Sequence, residues 1–191
     1  MHSTDLGDEE RILIVSDIHL GEDILQTEST KLSEYIRRLN FEFSQFIEGH
    51  TSKAVDGSSW HLIINGDLFD FLKVSVTSDP KNKFSAESYE DNSKKTCWKL
   101  ERIMEIHRPI FKAMAGFILA GNRITIIEGN HDAELYFSKV RDKFRKILAT
   151  LAQKIETNIS KVALVRFSEN VSFQKWFEAK SGRYHIEPMS T

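Results

Sequence analysis

Three short apolar runs rich in β-branched residues constrain the fold of this chain more than any other feature. They cover residues 11–16, 60–65 and 123–128. Runs of this length and composition are typical of strands buried on both faces of a parallel sheet. Stretches with helical spacing of apolar residues separate them, and the resulting order of strands and helices predicts an α/β fold, a mainly parallel sheet with helices packed against it.

The apolar spacing between and after the strands predicts three helices. One covers residues 32–47 and ends at Gly49. A long amphipathic helix is predicted over 100–118, with a kink or a break at Pro109 because proline cannot donate a helical hydrogen bond. Another helix is predicted from about residue 133 to residue 158.

The remaining segments carry weaker signals. Residues 75–96 are polar and show little periodicity, which predicts a long mobile loop that could serve as a substrate lid. Residues 161–187 alternate in short pieces, which predicts short strands at 162–165, 176–177 and 184–186. The chain of 191 residues shows no internal repeat, low-complexity tract or linker, so a single domain covering 1–191 is expected.

Composition narrows the class of protein and its partners. The formal net charge of −2 argues against a nucleic-acid partner, because a basic face would shift the total. Cys97 is the only cysteine, which excludes an intrachain disulfide and suits a cytoplasmic location. Residues 1–10 do not resemble a signal peptide, and no window approaches about eighteen apolar residues. Peripheral membrane contact and the oligomeric state stay open.

Each of the three apolar runs ends in a polar cluster, at residues 16–19, 66–67 and 129–132. Ligands of open parallel sheets bind at the carboxyl ends of the strands, so the three clusters are expected to meet at one edge. Carboxylates, imidazoles and an amide oxygen would converge there. This ligand set suits manganese, iron or zinc and offers no thiolate.

Such a set of donors suits hydrolysis of a phosphate ester. Two metal ions about 3.5–4 Å apart can hold phosphate oxygens and activate water, and a carboxylate between them fixes their spacing. A histidine beyond the metal ligands can protonate the departing alkoxide. Gly66 and Gly129 are expected to let the backbone turn sharply and to leave room for the substrate.

The clusters Asp-Ile-His at 17–19, Gly-Asp at 66–67 and Gly-Asn-His-Asp at 129–132 resemble, in order and position, the first three motifs of the calcineurin-like metallophosphoesterases. The resemblance covers roughly residues 11–187. It is nearest to the bacterial branch that includes UDP-2,3-diacylglucosamine pyrophosphohydrolases. It implies a calcineurin-like fold of mainly parallel sheets flanked by helices, and hydrolysis of a phosphomonoester, phosphodiester or pyrophosphate bond in a small phosphorylated or nucleotide-linked substrate.

The resemblance also implies a role for each residue of the motifs. Asp17 and His19 would bind the first metal ion, Asp67 would bridge both ions, and Asn130 would bind the second. The two divalent ions would be manganese, iron or zinc.

The same resemblance implies that His131 is the catalytic acid or a phosphate contact, and that Asp132 orients it. For Asp70 two interpretations stay open, a hydrogen bond to the metal ligands or the start of the next turn. His61 is expected to pack in the core or to bond a neighbour, and His107 to pack on the apolar side of its helix.

The chain departs from the family in one respect. Family members carry later histidines in a Gly-His pair and in a Gly-His-x-His motif, and neither pattern follows Asp132 here. His185 does not follow a glycine and is not assigned to the site. The second metal ion is therefore expected to bind weakly, and the chain would be the N-terminal part of the full family domain. The alternative hypothesis is a truncated, inactive fragment or pseudoenzyme that retains a partial metal site.

Overall fold

The computed structural model describes residues 10–21, 30–74, 89–155 and 165–168. The described strands form one four-stranded parallel sheet in the order β1-β2-β3-β4. Their bounds are β1 Glu10–Val15, β2 Ser59–Asn65, β3 Arg123–Ile127 and β4 Val165–Ser168. The prediction of an α/β fold with a parallel sheet is confirmed.

Four α-helices connect or follow these strands: α1 Thr30–Gly49, α2 Tyr89–Ile106, α3 Arg108–Leu119 and α4 Ser138–Ile155. Short 3₁₀ turns at Phe71–Lys73 and Ala133–Tyr136 follow the second and third strands. Helix α3 packs against both α1 and α4, and α2 packs against α4. No helix in the described ranges is both long and apolar enough to cross a membrane.

The strand order places the described helices on one face of the sheet. Connections between successive parallel strands are right-handed almost without exception, and the order from β1 to β4 never reverses. Successive connections with the same hand and direction cross the same face. That face of β2 and β3 carries fully buried side chains: Leu62, Ile64, Ile124 and Ile126.

The opposite face of β1 corrects an expectation from the sequence. The run at 11–16 was expected to be buried on both faces, yet Ile12 is 59% exposed and Ile14 is 67% exposed. Both side chains point away from the helices, because Ile12 and Ile14 pair with His61 and Ile63, which lie on the opposite face from Leu62 and Ile64. The apolar run at 11–16 therefore predicted a strand correctly, but the prediction that both faces of this strand are buried was wrong.

The break expected at Pro109 is present. Helix α2 ends at Ile106 and α3 begins at Arg108, with Pro109 in the first turn of α3. Proline fits that position because the first N–H groups of a helix have no helical acceptor. His107 lies at the junction between the two helices and is buried.

The predicted loop at 75–96 overlaps the start of α2 at Tyr89, and residues 75–88 lie outside the described ranges. The first turns of α2 show little apolar periodicity, because two of their buried positions are the polar residues Ser93 and Thr96. The Thr96 hydroxyl bonds a backbone carbonyl one turn earlier in the helix. A small polar side chain bonded in this way can pack like an apolar one.

The end of the chain is described in part. The helix expected over 133–158 is a 3₁₀ turn followed by α4, and residues 156–158 lie outside the described ranges. The strand β4 shares only Val165 with the strand expected at 162–165, and the strands expected at 176–177 and 184–186 lie outside the described ranges. His185 also lies outside them.

A matched pair of isoleucine substitutions tests the one-sided burial of the sheet. Ile64→Ala should lower the free energy of unfolding by about 2–5 kcal/mol, because Ile64 is fully buried. Ile14→Ala should lower it by about 1 kcal/mol or less, because most of that side chain already contacts solvent. Urea unfolding of both variants measures the difference. Equal losses would contradict an exposed face on β1.

Candidate metal centre

The loops that follow the first three strands are joined by backbone hydrogen bonds. The N–H of Gly66 donates to the carbonyl of Ile127 at 3.0 Å, and the N–H of Asp17 donates to Gly66 at 3.3 Å. The N–H of His19 then donates to the carbonyl of Asp67 at 2.8 Å. Parallel pairing thus continues beyond the strand ends and fixes the positions of the loops relative to each other.

Three residues of these loops have a strained backbone. Asp17, His19 and Asp67 have φ angles of 56°, 51° and 52°, and they are the residues other than glycine with positive φ in the described ranges. This conformation is uncommon for residues with a Cβ atom and is costly unless the surrounding structure enforces it. Such strain is typical of functional sites, and here it falls on the three residues expected to bind the first ion.

The side chains of Asp17, His19 and Asp67 converge. One donor atom from each lies within 4.8 Å of the others. Nε2 of His19 lies 4.0 Å from Oδ1 of Asp17. The Asp17 side chain is 70% exposed while Asp67 is almost buried, so the cluster opens to solvent on the Asp17 side. Two carboxylates and one imidazole could hold manganese, iron or zinc.

The third loop meets this cluster through its backbone. The N–H of His131 donates to Oδ1 of Asp67 at 2.8 Å. Gly129 also lies against Asp67, because a Cβ atom added to Gly129 would overlap that same Oδ1. Asn130 lies between these two residues, and its side chain is exposed. The backbone on both sides of Asn130, the expected ligand of the second ion, therefore lies beside Asp67.

The two glycines serve different purposes. Gly66 has a φ of 84°, which supports the expected sharp turn at the end of β2. The φ of Gly129 is not positive; its lack of a side chain instead allows the third loop to approach Asp67.

Asp70 is the residue whose importance the sequence left open. It is 2% exposed, and its Oδ2 lies 3.3 Å from Nδ1 of His131 and 3.7 Å from Nδ1 of His19. The two imidazole rings meet edge to face with centroids 4.6 Å apart. Within the described part of the chain neither Nδ1 atom has a hydrogen-bond partner, although both are buried. A small rotation of either ring would direct its Nδ1–H at Asp70.

A hydrogen bond to the expected metal ligand His19 is not formed at 3.7 Å, whereas the interpretation of Asp70 as the start of the next turn is confirmed. Its Oδ1 accepts a hydrogen bond from the backbone N–H of Lys73 at 3.3 Å, which caps the 3₁₀ turn. Its Oδ2 faces the two histidines and the ammonium group of Lys73, at 3.0 Å. Burial alone raises the pKa of Asp70, but Lys73 and His131 bring the pKa below its usual value. Asp70 is therefore an ionised carboxylate in contact with two imidazoles.

Asp132 does not occupy the position expected of it. Its carboxylate is buried and accepts backbone hydrogen bonds from Gly129 at 2.6 Å, Leu68 at 2.8 Å and Phe69 at 3.2 Å. Burial raises the pKa of Asp132 to about 6, although these N–H groups favour the charged form. Asp132 joins the second and third loops, and Asp70 is the carboxylate beside the His131 ring. The sequence did not predict which carboxylate lies beside His131, because residues adjacent in the chain need not have adjacent side chains.

His61 and His107 belong to neither group of donor atoms that could hold a metal ion. His61 bonds Thr125 on the neighbouring strand at 2.8 Å, which confirms that it bonds a neighbour. His107 is buried as expected, but it does more than pack. Its Nδ1 lies 2.8 Å from Oδ1 of Asn40 in α1, and its Nε2 lies 3.0 Å from the carbonyl of Gly21. His107 thus ties the end of the first loop to the helices.

Removal of the Asp132 carboxylate tests its structural role. Asp132→Ala leaves three backbone N–H groups without their acceptor, two of them in buried bonds, so it should lower the free energy of unfolding by at least about 2 kcal/mol. Asp142→Ala, on the exposed face of α4, is the matched control and should change it by less than about 0.5 kcal/mol. Chemical denaturation measures both. A fully stable Asp132→Ala variant would contradict the role of Asp132 in joining the loops.

Comparison of the chain with models of known protein families gave no match, and comparison with curated proteins gave none either. The comparisons therefore identify no family for this chain. The donor atoms at the carboxyl edge of the sheet are the feature from which its chemistry is inferred.

Proposed function

We propose that this chain is a metal-dependent phosphoesterase domain of the calcineurin-like type, which hydrolyses a phosphomonoester, phosphodiester or pyrophosphate bond. The observation that carries the proposal is the convergence of Asp17, His19 and Asp67, with donor atoms within 4.8 Å of one another. All three lie on strained backbone at the carboxyl edge of a parallel sheet. Strain confined to potential metal ligands is easier to explain by function than by stability.

The residues present fit a divalent cation. In this proposal Asp17 and His19 would hold the first ion, Asp67 would be a ligand of both ions, and Asn130 would be a ligand of the second. A bound ion would supply positive charge for the phosphate oxygens and lower the pKa of a water molecule. The oxygen and nitrogen donors suit manganese, iron or zinc. Asp70 supports the His19 assignment, because a carboxylate beside Nδ1 would leave Nε2 free to bind metal.

His131 is the proposed general acid. With its Nδ1 directed at Asp70, its Nε2 is the nitrogen available to the substrate. An ionised Asp70 stabilises a protonated imidazole, which can then give its Nε2 proton to the departing alkoxide. The backbone N–H of His131 bonds Asp67, so the acid is held at a fixed distance from the proposed bridging ligand.

A second candidate is a domain that binds metal without catalysis. Among the described residues the second ion would have Asp67 and Asn130 as its ligands, whereas catalytic zinc sites usually use three protein ligands. Titration calorimetry with Mn²⁺ separates the candidates when it is combined with a hydrolysis assay. Tight binding of two ions with turnover supports the enzyme. Binding of one ion without turnover supports the inactive domain.

The central test is Asp67→Asn, assayed with Mn²⁺ and a chromogenic phosphodiester. The change removes one negative oxygen from the proposed bridge, so hydrolysis should fall by at least about 100-fold. Asp142→Asn on α4 is the control and should retain full activity. Hydrolysis that is indifferent to Asp67→Asn would rule out this site.

Asp70→Asn tests the support of the two histidines. The amide cannot stabilise a protonated His131, so kcat should fall about 10–100-fold. KM should change little, because the lost interaction stabilises mainly the transition state and not the bound substrate. Steady-state kinetics over a range of substrate concentrations gives both constants. A rise in KM with unchanged kcat would show that Asp70 serves substrate binding instead.

A further inference from the structure

Lys73 places a positive charge at the rim of the donor cluster. It is the last residue of the 3₁₀ turn that follows Asp70, and its Nζ lies 3.0 Å from Oδ2 of Asp70. That same oxygen faces the Nδ1 atoms of His131 and His19. The Lys73 side chain is 50% exposed while Asp70 is 2% exposed, so the ammonium group lies between the buried carboxylate and solvent.

The stem of Lys73 lies against the first loop. A Cβ atom added to Gly21 would be 3.0 Å from Cβ and 3.5 Å from Cδ of Lys73. The lack of a side chain at Gly21 therefore makes room for the lysine. The carbonyl of Gly21 is held in turn by His107, so this part of the first loop is anchored to the helices. Lys73 is positioned by the loop that carries Asp17 and His19.

The contacts of Asp70 favour release of the ammonium group when substrate binds. Three donor groups face one carboxylate oxygen, and two of them are imidazoles that reach good geometry with a small rotation. One oxygen does not serve three donors well. Lys73 is the donor on the solvent side, and its long side chain can move without disturbing the fold. A phosphate group bound beside His19 would offer it several charged oxygens.

We propose that Lys73 is a substrate-binding residue of this site, whose ammonium group moves from Asp70 to the non-bridging oxygens of the phosphate group bound by the metal. A compact charge with three N–H donors suits phosphate. After this move Oδ2 of Asp70 contacts the two histidines alone. The ammonium group then adds positive charge where negative charge develops in the transition state. The inference rests on the proposed metal-dependent function and adds a residue that the motifs do not contain.

Calorimetric titration of inorganic phosphate into the Mn²⁺-loaded chain tests the inference. Lys73→Met, which keeps the stem and removes the charge, should weaken phosphate binding at least about tenfold. Lys73→Arg should stay within about threefold of the unaltered chain, because it keeps the charge. Lys112→Met, at an exposed lysine of α3, is the matched control and should bind phosphate normally. Mn²⁺ affinity, titrated first, should change less than about twofold in all variants.

Each outcome has a separate meaning. Unchanged phosphate binding by Mn²⁺-loaded Lys73→Met, or no phosphate binding by the Mn²⁺-loaded unaltered chain, would overturn the role of Lys73 and leave the metal site intact. Parallel loss of Mn²⁺ and phosphate in Lys73→Met would also overturn it, since the lysine would then act by holding Asp70. Failure of the unaltered chain to bind Mn²⁺ would overturn the proposed function and this inference together.

Discussion

The contact between Asp67 and the backbone of the third loop is the constraint on which the site depends. Oδ1 of Asp67 accepts the N–H of His131, and Gly129 lies too close to Asp67 for any side chain to fit. Asp67 itself is held at a φ of 52°, and its carbonyl accepts the N–H of His19. One residue thus links all three loops, so the proposed ligands cannot move independently. Its strained backbone is stable because contacts on both sides enforce it.

The four aspartates of the three loops have different roles because their surroundings differ. Asp17 is mostly exposed and Asp67 is nearly buried, and together with one imidazole they form the set that could hold a cation. Asp70 is buried among positive and imidazole groups, which lower its pKa and suit it to supporting histidines. Asp132 is buried among backbone N–H groups, and burial raises its pKa. Residue type alone therefore does not assign a role; partners and solvent access do.

Much of the fold follows from local patterns in the sequence. The apolar runs predict β1 to β3 because the apolar residues of a strand are consecutive in the sequence. The break at Pro109 follows from the missing N–H of proline. Convergence of the clusters at 17–19, 66–67 and 129–132 was predictable as well, since parallel strands end at the same edge of a sheet. The unreversed strand order was not predictable, and it decides that the described helices share one face while Ile12 and Ile14 stay exposed.

The sequence by itself determined β1 to β3, most of the helices, their order and the candidate donor residues, because hydrophobic periodicity and chain direction encode them locally. Only the tertiary structure decided which carboxylate meets which imidazole. Asp132 is adjacent to His131 in the chain yet bonds the second loop, whereas Asp70 reaches the His131 ring from that loop. The position of Lys73 is set by the packing of its side chain against Gly21. Such pairings depend on side-chain direction and on close approach between loops distant in sequence, and no local pattern records either of them.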